Sequence, residues 1–259
     1  MTLPRAFLID IDGVLYVGSQ PIPGAPEAIQ FLQRHGYPHR FISNTTRKSR
    51  ATIAAQLRRM GFSVGDDAIL TPAVAAAEWV KKHGNDRCYL LATGDVAADF
   101  EAAGIVHAEQ AEIVVIGDAG DRATYAAMNH AFRLVMGGAR LVALERDRFW
   151  MASDGLSLSA GPFVAALEFA TGAKATVIGK PSPDFFLHAL NQLGCRAEET
   201  AMVGDDIETD IKGAQRCGCA GYLVRTGKFN EERLASSGVV PDLVLDSIAA
   251  LPTLLSMHT

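Results

Sequence analysis

Asp10 and Asp12 follow directly on the apolar run Ala6-Phe7-Leu8-Ile9, so a buried strand ends in one acid and a second stands two positions on. Strand alternation turns residues i and i+2 to one side, which predicts that both carboxylates face one point. Two like charges about 4 Å apart repel by roughly 4 kcal/mol even at an effective dielectric of 20, so packing alone would favour apolar residues here. A hard divalent cation such as Mg²⁺ offsets that repulsion through carboxylate oxygens. Three more clusters suit the same chemistry: Ser43-Asn44, Lys180 in a Gly-Lys-Pro turn, and Gly204-Asp205-Asp206 followed by Asp210. Together they offer charge neutralisation, donors for equatorial oxygens and a carboxylate able to attack phosphorus, the needs of phosphoryl transfer.

Each cluster has a structural alternative. Ser-Asn after a strand also serves as a turn or helix cap, and a lysine before proline is ordinarily a solvated surface residue. Asp205, Asp206 and Asp210 could cap a helix and favour its positive end. A buried acid pair at positions 10 and 12 is harder to explain by packing.

The elements that must position these residues alternate between strand and helix, which predicts a mainly parallel sheet covered by helices. Strands are expected at Ala6–Asp10, His39–Ile42, Thr200–Val203, Gly221–Val224 and Leu243–Leu245. Pro26 opens a helix that stops at Gly36, and Thr71-Pro72 reads as an N-cap and first-turn proline. The middle of the chain repeats the grammar, with strands at Cys88–Leu91, Ile113–Ile116, Leu141–Leu144 and Thr176–Ile178. Helices are expected between them around Val96–Ala103, Thr124–Met136 and Pro162–Ala170. All four clusters then lie at carboxyl ends of strands or just past them, where open α/β sheets bind ligands.

Composition narrows the function classes. The 259 residues are 49% hydrophobic and 20% charged, the balance of a packed globular protein. A formal charge of −5 gives no basic footprint for nucleic acid. No apolar run reaches membrane-spanning length, and no signal peptide is read at the start. Cys88, Cys195, Cys217 and Cys219 show no CxxC spacing, which points to reduced cysteines and a cytoplasmic location. Gly227-Lys228 is followed by Phe229 where a P-loop needs Ser or Thr. Asp10-Ile11-Asp12-Gly13 meets its glycine too early for an EF-hand loop. No G-x-G-x-x-G follows a strand, so dinucleotide binding has no support.

The order Asp-x-Asp-Gly, Ser-Asn, Gly-Lys-Pro, Val-Gly-Asp-Asp resembles the haloacid dehalogenase-like hydrolases, and within them subfamily IIA, the NagD and para-nitrophenylphosphatase-like group. Asp154-Gly155-Leu156, Gly161-Pro162-Phe163-Val164 and the stretch Leu223 to Lys228 are most similar to the branch that includes phospholysine phosphohistidine inorganic pyrophosphate phosphatase. The resemblance implies a Rossmann-like parallel sheet core, residues 1–76 and 178–259, with an inserted α/β cap of the C2 type at 77–177. It implies a Mg²⁺ cofactor and Asp10 as the nucleophile that forms an aspartyl-phosphate. Asp12 would protonate the leaving oxygen and activate water, while its backbone carbonyl joins Asp10 and Asp205 around the metal. Asp12 and Gly13, with Ser43, Asn44 and Lys180, would hold the phosphoryl group, and Asp206 and Asp210 would stand behind the metal or at a helix start. An acid at position 12 favours phosphoester hydrolysis, since dehalogenating relatives lack it and ion-pumping ATPases carry Thr.

The implied substrate is a small phosphorylated metabolite, a phosphoamino acid or pyrophosphate, with the cap excluding water and touching the leaving group. Asp118 and the segment from Glu145 to Trp150 are cap candidates for specificity, with an ordinary charged loop as the alternative. The Asn-x-Asp pattern that many members carry near Leu144 is replaced here by Glu145-Arg146-Asp147. Similar proteins commonly dimerise through the cap. The residues also leave open a phosphate- or metal-binding regulatory protein without turnover, and a phosphotransferase that shares the covalent intermediate.

Overall fold

Ala6–Asp10 and Thr200–Gly204 are buried at every position, the pattern of parallel strands covered on both faces. The computed structural model describes residues 3–152 and 154–257. Packing divides the chain into two compact units, one of Met1–Ser43, Ile53–Leu70 and Lys180–Thr259, the other of Asn44–Thr52 and Thr71–Gly179.

The first unit holds a six-stranded sheet. Its strand order is Leu243–Leu245, Ala220–Val224, Thr200–Gly204, Ala6–Asp10, His39–Ile42 and Ile69–Leu70, all parallel. The chain winds outward from Ala6–Asp10 in one direction through residue 70, then returns and winds the other way from Thr200–Gly204. The two central strands therefore flank the topological switch point, where carboxyl ends diverge and leave a crevice. Asp10 pairs with Ile42 and Ile9 with Val203, so Asp10, Ser43 and Asp205 stand at or just past neighbouring strand ends. One face of this sheet packs Phe7, Ile9 and Val203 with Ala28, Ile29 and Leu32 of the Ala25–Arg34 helix. Pro26 lies in that helix's first turn, as its fixed φ allows. The Pro183–Leu193 helix ends at Gly194, whose φ of 71° gives a left-handed stop.

The second unit has its own five-stranded parallel sheet, ordered Thr176–Val177, Arg140–Ala143, Ile113–Ile116, Arg87–Leu91 and Val106–His107. Thr71 and Thr124 cap the Pro72–His83 and Tyr125–Met136 helices through their hydroxyls, accepting from Val74 N–H and Ala127 N–H. The helix expected around Pro162–Ala170 begins earlier, at Ala160. The reason is remote in sequence: the Glu145 carboxylate accepts from Ala160 N–H at 2.8 Å and from Ser159 Oγ at 2.6 Å. The specificity candidate segment from Glu145 to Trp150 runs into an antiparallel hairpin, Phe149–Ala152 with Gly155–Leu158, rather than an open charged loop. The hairpin's apolar side chains Phe149, Met151, Leu156 and Leu158 share one face and are all exposed, so no burial against a core marks it as strand.

Candidate active site

Three acids of the first unit converge. Asp10, Asp205 and Asp210 each offer a carboxylate oxygen, all three within 4.8 Å of one another, and all three side chains are buried. Lys180 lies among them, only 3% exposed, with its ammonium 2.6 Å from Oδ1 of Asp10 and 2.7 Å from Oδ1 of Asp210. Burial opposes that ammonium, but the Asp10 and Asp210 charges and hydrogen bonds outweigh it and hold Lys180 protonated above the usual lysine range. Burial raises the pKa of Asp10 although Lys180 pulls the other way. Burial also raises Asp205, helped by the charges of Asp10 and Asp210, and it raises Asp210 against the pull of Lys180. Three carboxylates share one buried cation, so the cluster lacks positive charge and resists full ionisation.

That donor set fits a small divalent cation. The atoms are hard oxygens at a spacing one ion can bridge, and a +2 charge would replace the protons the acids otherwise retain. Two glycines leave room for Asp205 to take part. A Cβ at Gly13 would stand 1.9 Å from Asp205 Oδ2, and one at Gly227 would stand 2.0 Å from the same oxygen. Both residues have positive φ, 85° and 61°, a region that other side chains strain to enter.

Asp12 is placed differently from the strand-alternation argument. The strand ends at Asp10, and Asp12 lies exposed on the turn that follows, where it bridges to Tyr16. The Tyr16 hydroxyl, buried and raised in pKa by desolvation and by Asp12, donates to the Asp12 carboxylate. Gly13 N–H donates to Tyr16 C=O at 2.8 Å. In a trans peptide the C=O opposes the N–H, so this bond also turns the Asp12 carbonyl away from Tyr16. The adjacency of strands distant in sequence brings Asp205 and Asp210 to Asp10, and the Asp12 charge acts on Asp10 as well.

Ser43 is buried just beyond the His39–Ile42 strand, its N–H donating to Leu70 C=O at 3.1 Å. Asn44 follows it, half-buried, in the second unit. Asp206 does begin a helical turn: its carboxylate accepts from Glu208 N–H and Thr209 N–H at the start of the π-helical Ile207–Lys212. Burial works against the Asp206 anion, but those N–H groups and Arg233 hold its pKa below the usual range. Both oxygens of Asp210 are engaged, Oδ1 by Lys180 and Oδ2 by Asp206 N–H at 3.1 Å.

In the second unit Asp118 is buried, pairs with Arg47 at 3.1 Å and accepts from Gly120 N–H, so it is no solvated loop acid. The Arg47 guanidinium also lies over the Trp150 ring, 5.0 Å from its centroid. Sequence reasoning gave no role to Tyr16 or to Thr226, Gly227 and Lys228. The signal available for the last three was Gly227, a glycine in the loop after a strand on the site's side of the sheet.

A parallel sheet with acids gathered at its switch point and a buried lysine between them is a site of the α/β class suited to phosphate chemistry. Comparison with known proteins agrees. Residues 7–106 match the model of the haloacid dehalogenase-like hydrolase family, and residues 177–251 match a second, HAD-hydrolase-like model. Human phospholysine phosphohistidine inorganic pyrophosphate phosphatase is 40% identical over 98% of this chain and 95% of its own. Among solved structures, the p-nitrophenyl phosphatase from Archaeoglobus fulgidus superposes with a TM-score of 0.91 at 30% identity, covering 98% of this chain and 100% of that one. NagD from E. coli K-12 superposes with a TM-score of 0.87 at 26% identity, covering 96% and 98%. The chain belongs to the haloacid dehalogenase-like hydrolases, among their phosphatases.

Proposed function

We propose that the chain is a Mg²⁺-dependent phosphatase that hydrolyses a small phosphorylated substrate through an aspartyl-phosphate on Asp10. The observation that carries this reading is the convergence of Asp10, Asp205 and Asp210 around a lysine that bonds Asp10 at 2.6 Å. Asp10 and Asp205 would hold the ion together with the backbone carbonyl of Asp12, and a bound Mg²⁺ would neutralise phosphate charge. Asp210, with both oxygens taken, suits the task of fixing Lys180 and the Asp206 peptide.

In the first step an Asp10 carboxylate oxygen attacks phosphorus while the bond from phosphorus to the leaving oxygen breaks, and Asp12 gives that oxygen its proton. In the second step Asp12 takes a proton from water, the water oxygen attacks phosphorus, and the acyl-phosphate bond breaks to free Asp10 and release inorganic phosphate. Ser43, the Asn44 amide and Lys180 would hold the phosphoryl oxygens as charge shifts onto them, whereas the Gly13 N–H expected to join them is taken by Tyr16 C=O. The human relative's name specifies phospholysine, phosphohistidine and inorganic pyrophosphate, and compounds of that size and charge are the substrates we assign. Four free thiols, at Cys88, Cys195, Cys217 and Cys219, suit the reducing cytoplasm. Among the described residues no helix is long and apolar enough to cross a membrane.

The test is phosphate release from p-nitrophenyl phosphate with Mg²⁺, with a chelator, and by Asp10→Asn. Turnover that needs Mg²⁺ and vanishes in the variant is expected. Binding of Mg²⁺ and phosphate by a wild type that releases nothing would favour a regulatory protein instead.

A further inference from the structure

The loop after the Ala220–Val224 strand touches the site at two places. Thr226 Oγ1 donates to Gly13 C=O at 2.5 Å, across 213 residues of sequence. Two residues on, Lys228 N–H donates to Asp205 Oδ2 at 2.6 Å. Between them Gly227 presses its backbone against both partners. A Cβ on Gly13 would lie 3.0 Å from the Gly227 Cα, and a Cβ on Gly227 would lie 2.5 Å from the Gly13 Cα. One short hydroxyl-bearing side chain and one turn thus join the loop after the first strand to the acid after the neighbouring one.

The Gly13 peptides are held at both ends as a result. Their N–H goes to Tyr16 C=O at 2.8 Å and their C=O receives the Thr226 hydroxyl. Without the second bond the glycine, at φ 85°, is held by its N–H and its packing alone and has more of its conformational range open to it. Asp12 is the residue before Gly13, and Asp205 is the carboxylate that Gly13 and Gly227 enclose. We propose that Thr226 is a positioning residue for the metal-binding face of the site: its hydroxyl fixes the Gly13 peptide and seats the Gly227-Lys228 turn against Asp205. The assignment rests on the Mg²⁺ site of the preceding section. Thr226 makes no contact with the phosphoryl group in this scheme; it acts through the Gly13 peptide, next to the Asp12 carbonyl, and through the turn whose Lys228 N–H holds Asp205. Groups that orient metal ligands in this way are typically worth about 10- to 100-fold in metal affinity.

The experiment is Mg²⁺ titration of the full chain by calorimetry, comparing wild type, Thr226→Val, Thr226→Ser and Gly227→Ala. Val keeps the shape and loses the hydroxyl, whereas Ser keeps the hydroxyl and loses the methyl. Thermal midpoints in chelator report folding separately. Thr226→Val should bind Mg²⁺ about 10-fold or more weakly, and Thr226→Ser should recover most of the affinity. Gly227→Ala, whose Cβ would collide with Asp205 Oδ2, should lose more. Wild-type affinity in Thr226→Val, or a weakening that Ser does not rescue, overturns the assignment while leaving the phosphatase reading intact. A wild type that binds no Mg²⁺ overturns both.

Discussion

Lys180 and Asp10, 170 residues apart in sequence, meet at 2.6 Å in a space almost closed to water. A buried ion pair of this kind is weak support for stability, because the cost of desolvating both charges can match their attraction. Its value here is that Lys180 also bonds Asp210 at 2.7 Å, so one cation spaces two carboxylates that would otherwise repel. Lys180→Met keeps most of the side-chain volume and removes the charge. Stripping one partner from a buried pair costs about 3–5 kcal/mol, so urea midpoints in chelator should fall by a corresponding amount. Turnover of p-nitrophenyl phosphate should fall by at least about 100-fold, since a donor aimed at developing phosphate charge is lost. Full activity in this variant would remove Lys180 from the mechanism.

Asp12→Asn separates the two chemical steps. The p-nitrophenolate leaving group is stable without a proton, so the first step survives loss of the acid. The second step needs a base for water and should slow by about 100- to 10,000-fold. Rapid mixing should therefore show a burst of nitrophenolate equal to the enzyme present, then near silence. Asp10→Asn should show no burst. A variant at position 12 that turns over at the wild-type rate would assign the proton transfers elsewhere.

Metal removal should act on stability with a sign that depends on Asp205. Burial and the Asp10 and Asp210 charges already disfavour its ionised form. Mg²⁺ at about 100 times its Kd should stabilise the wild type by roughly 2.7 kcal/mol, seen as a rise in thermal midpoint. Asp205→Asn should abolish that rise and yet, in chelator, should be at least as stable as the wild type. The amide oxygen can still accept from Lys228 N–H, while one charge of a crowded trio is gone. A Mg²⁺-induced rise that persists in the variant would place the ion away from Asp205.

The strand ends that carry Asp10, Ser43 and Asp205 are legible in the sequence because apolar runs buried on both faces stop abruptly at polar residues. The capped helix starts at Thr71 and Thr124 are legible because the capping hydroxyl lies three residues from its N–H donor. What is not legible is set by how the chain turns once a strand has ended. Asp12 has the spacing of a strand partner to Asp10, but a turn bridged to Tyr16 takes it off the strand. Asp210 stands in the sequence with Asp205 and Asp206 as a candidate, but its place beside Asp10 depends on Ile207–Lys212 folding back against the end of the strand before it, which no local periodicity encodes. The paired strands Phe149–Ala152 and Gly155–Leu158 turn their apolar face, Phe149, Met151, Leu156 and Leu158, to the outside, so their period lacks the buried face that ordinarily identifies a strand.

Glu145 supplies a test in the second unit. Its carboxylate is 1% exposed and accepts from Ser159 Oγ, Ala160 N–H and Asp147 N–H. Burial nevertheless dominates and pushes its pKa from 4.5 up to about 7, with the Asp147 charge adding to the rise. Between those two values the folded chain holds a proton that the unfolded chain has lost, so stability falls as pH rises through the window. About 2.5 pH units at roughly 1.4 kcal/mol each give a loss on the order of 3 kcal/mol. Glu145→Gln keeps the acceptor for Ala160 and Ser159 but sets a second donor against Asp147 N–H, a cost that does not vary with pH. Urea midpoints at about pH 5 and pH 8 should therefore converge in the variant relative to the wild type. Equal pH slopes for the two proteins would mean that Glu145 ionises freely despite its burial.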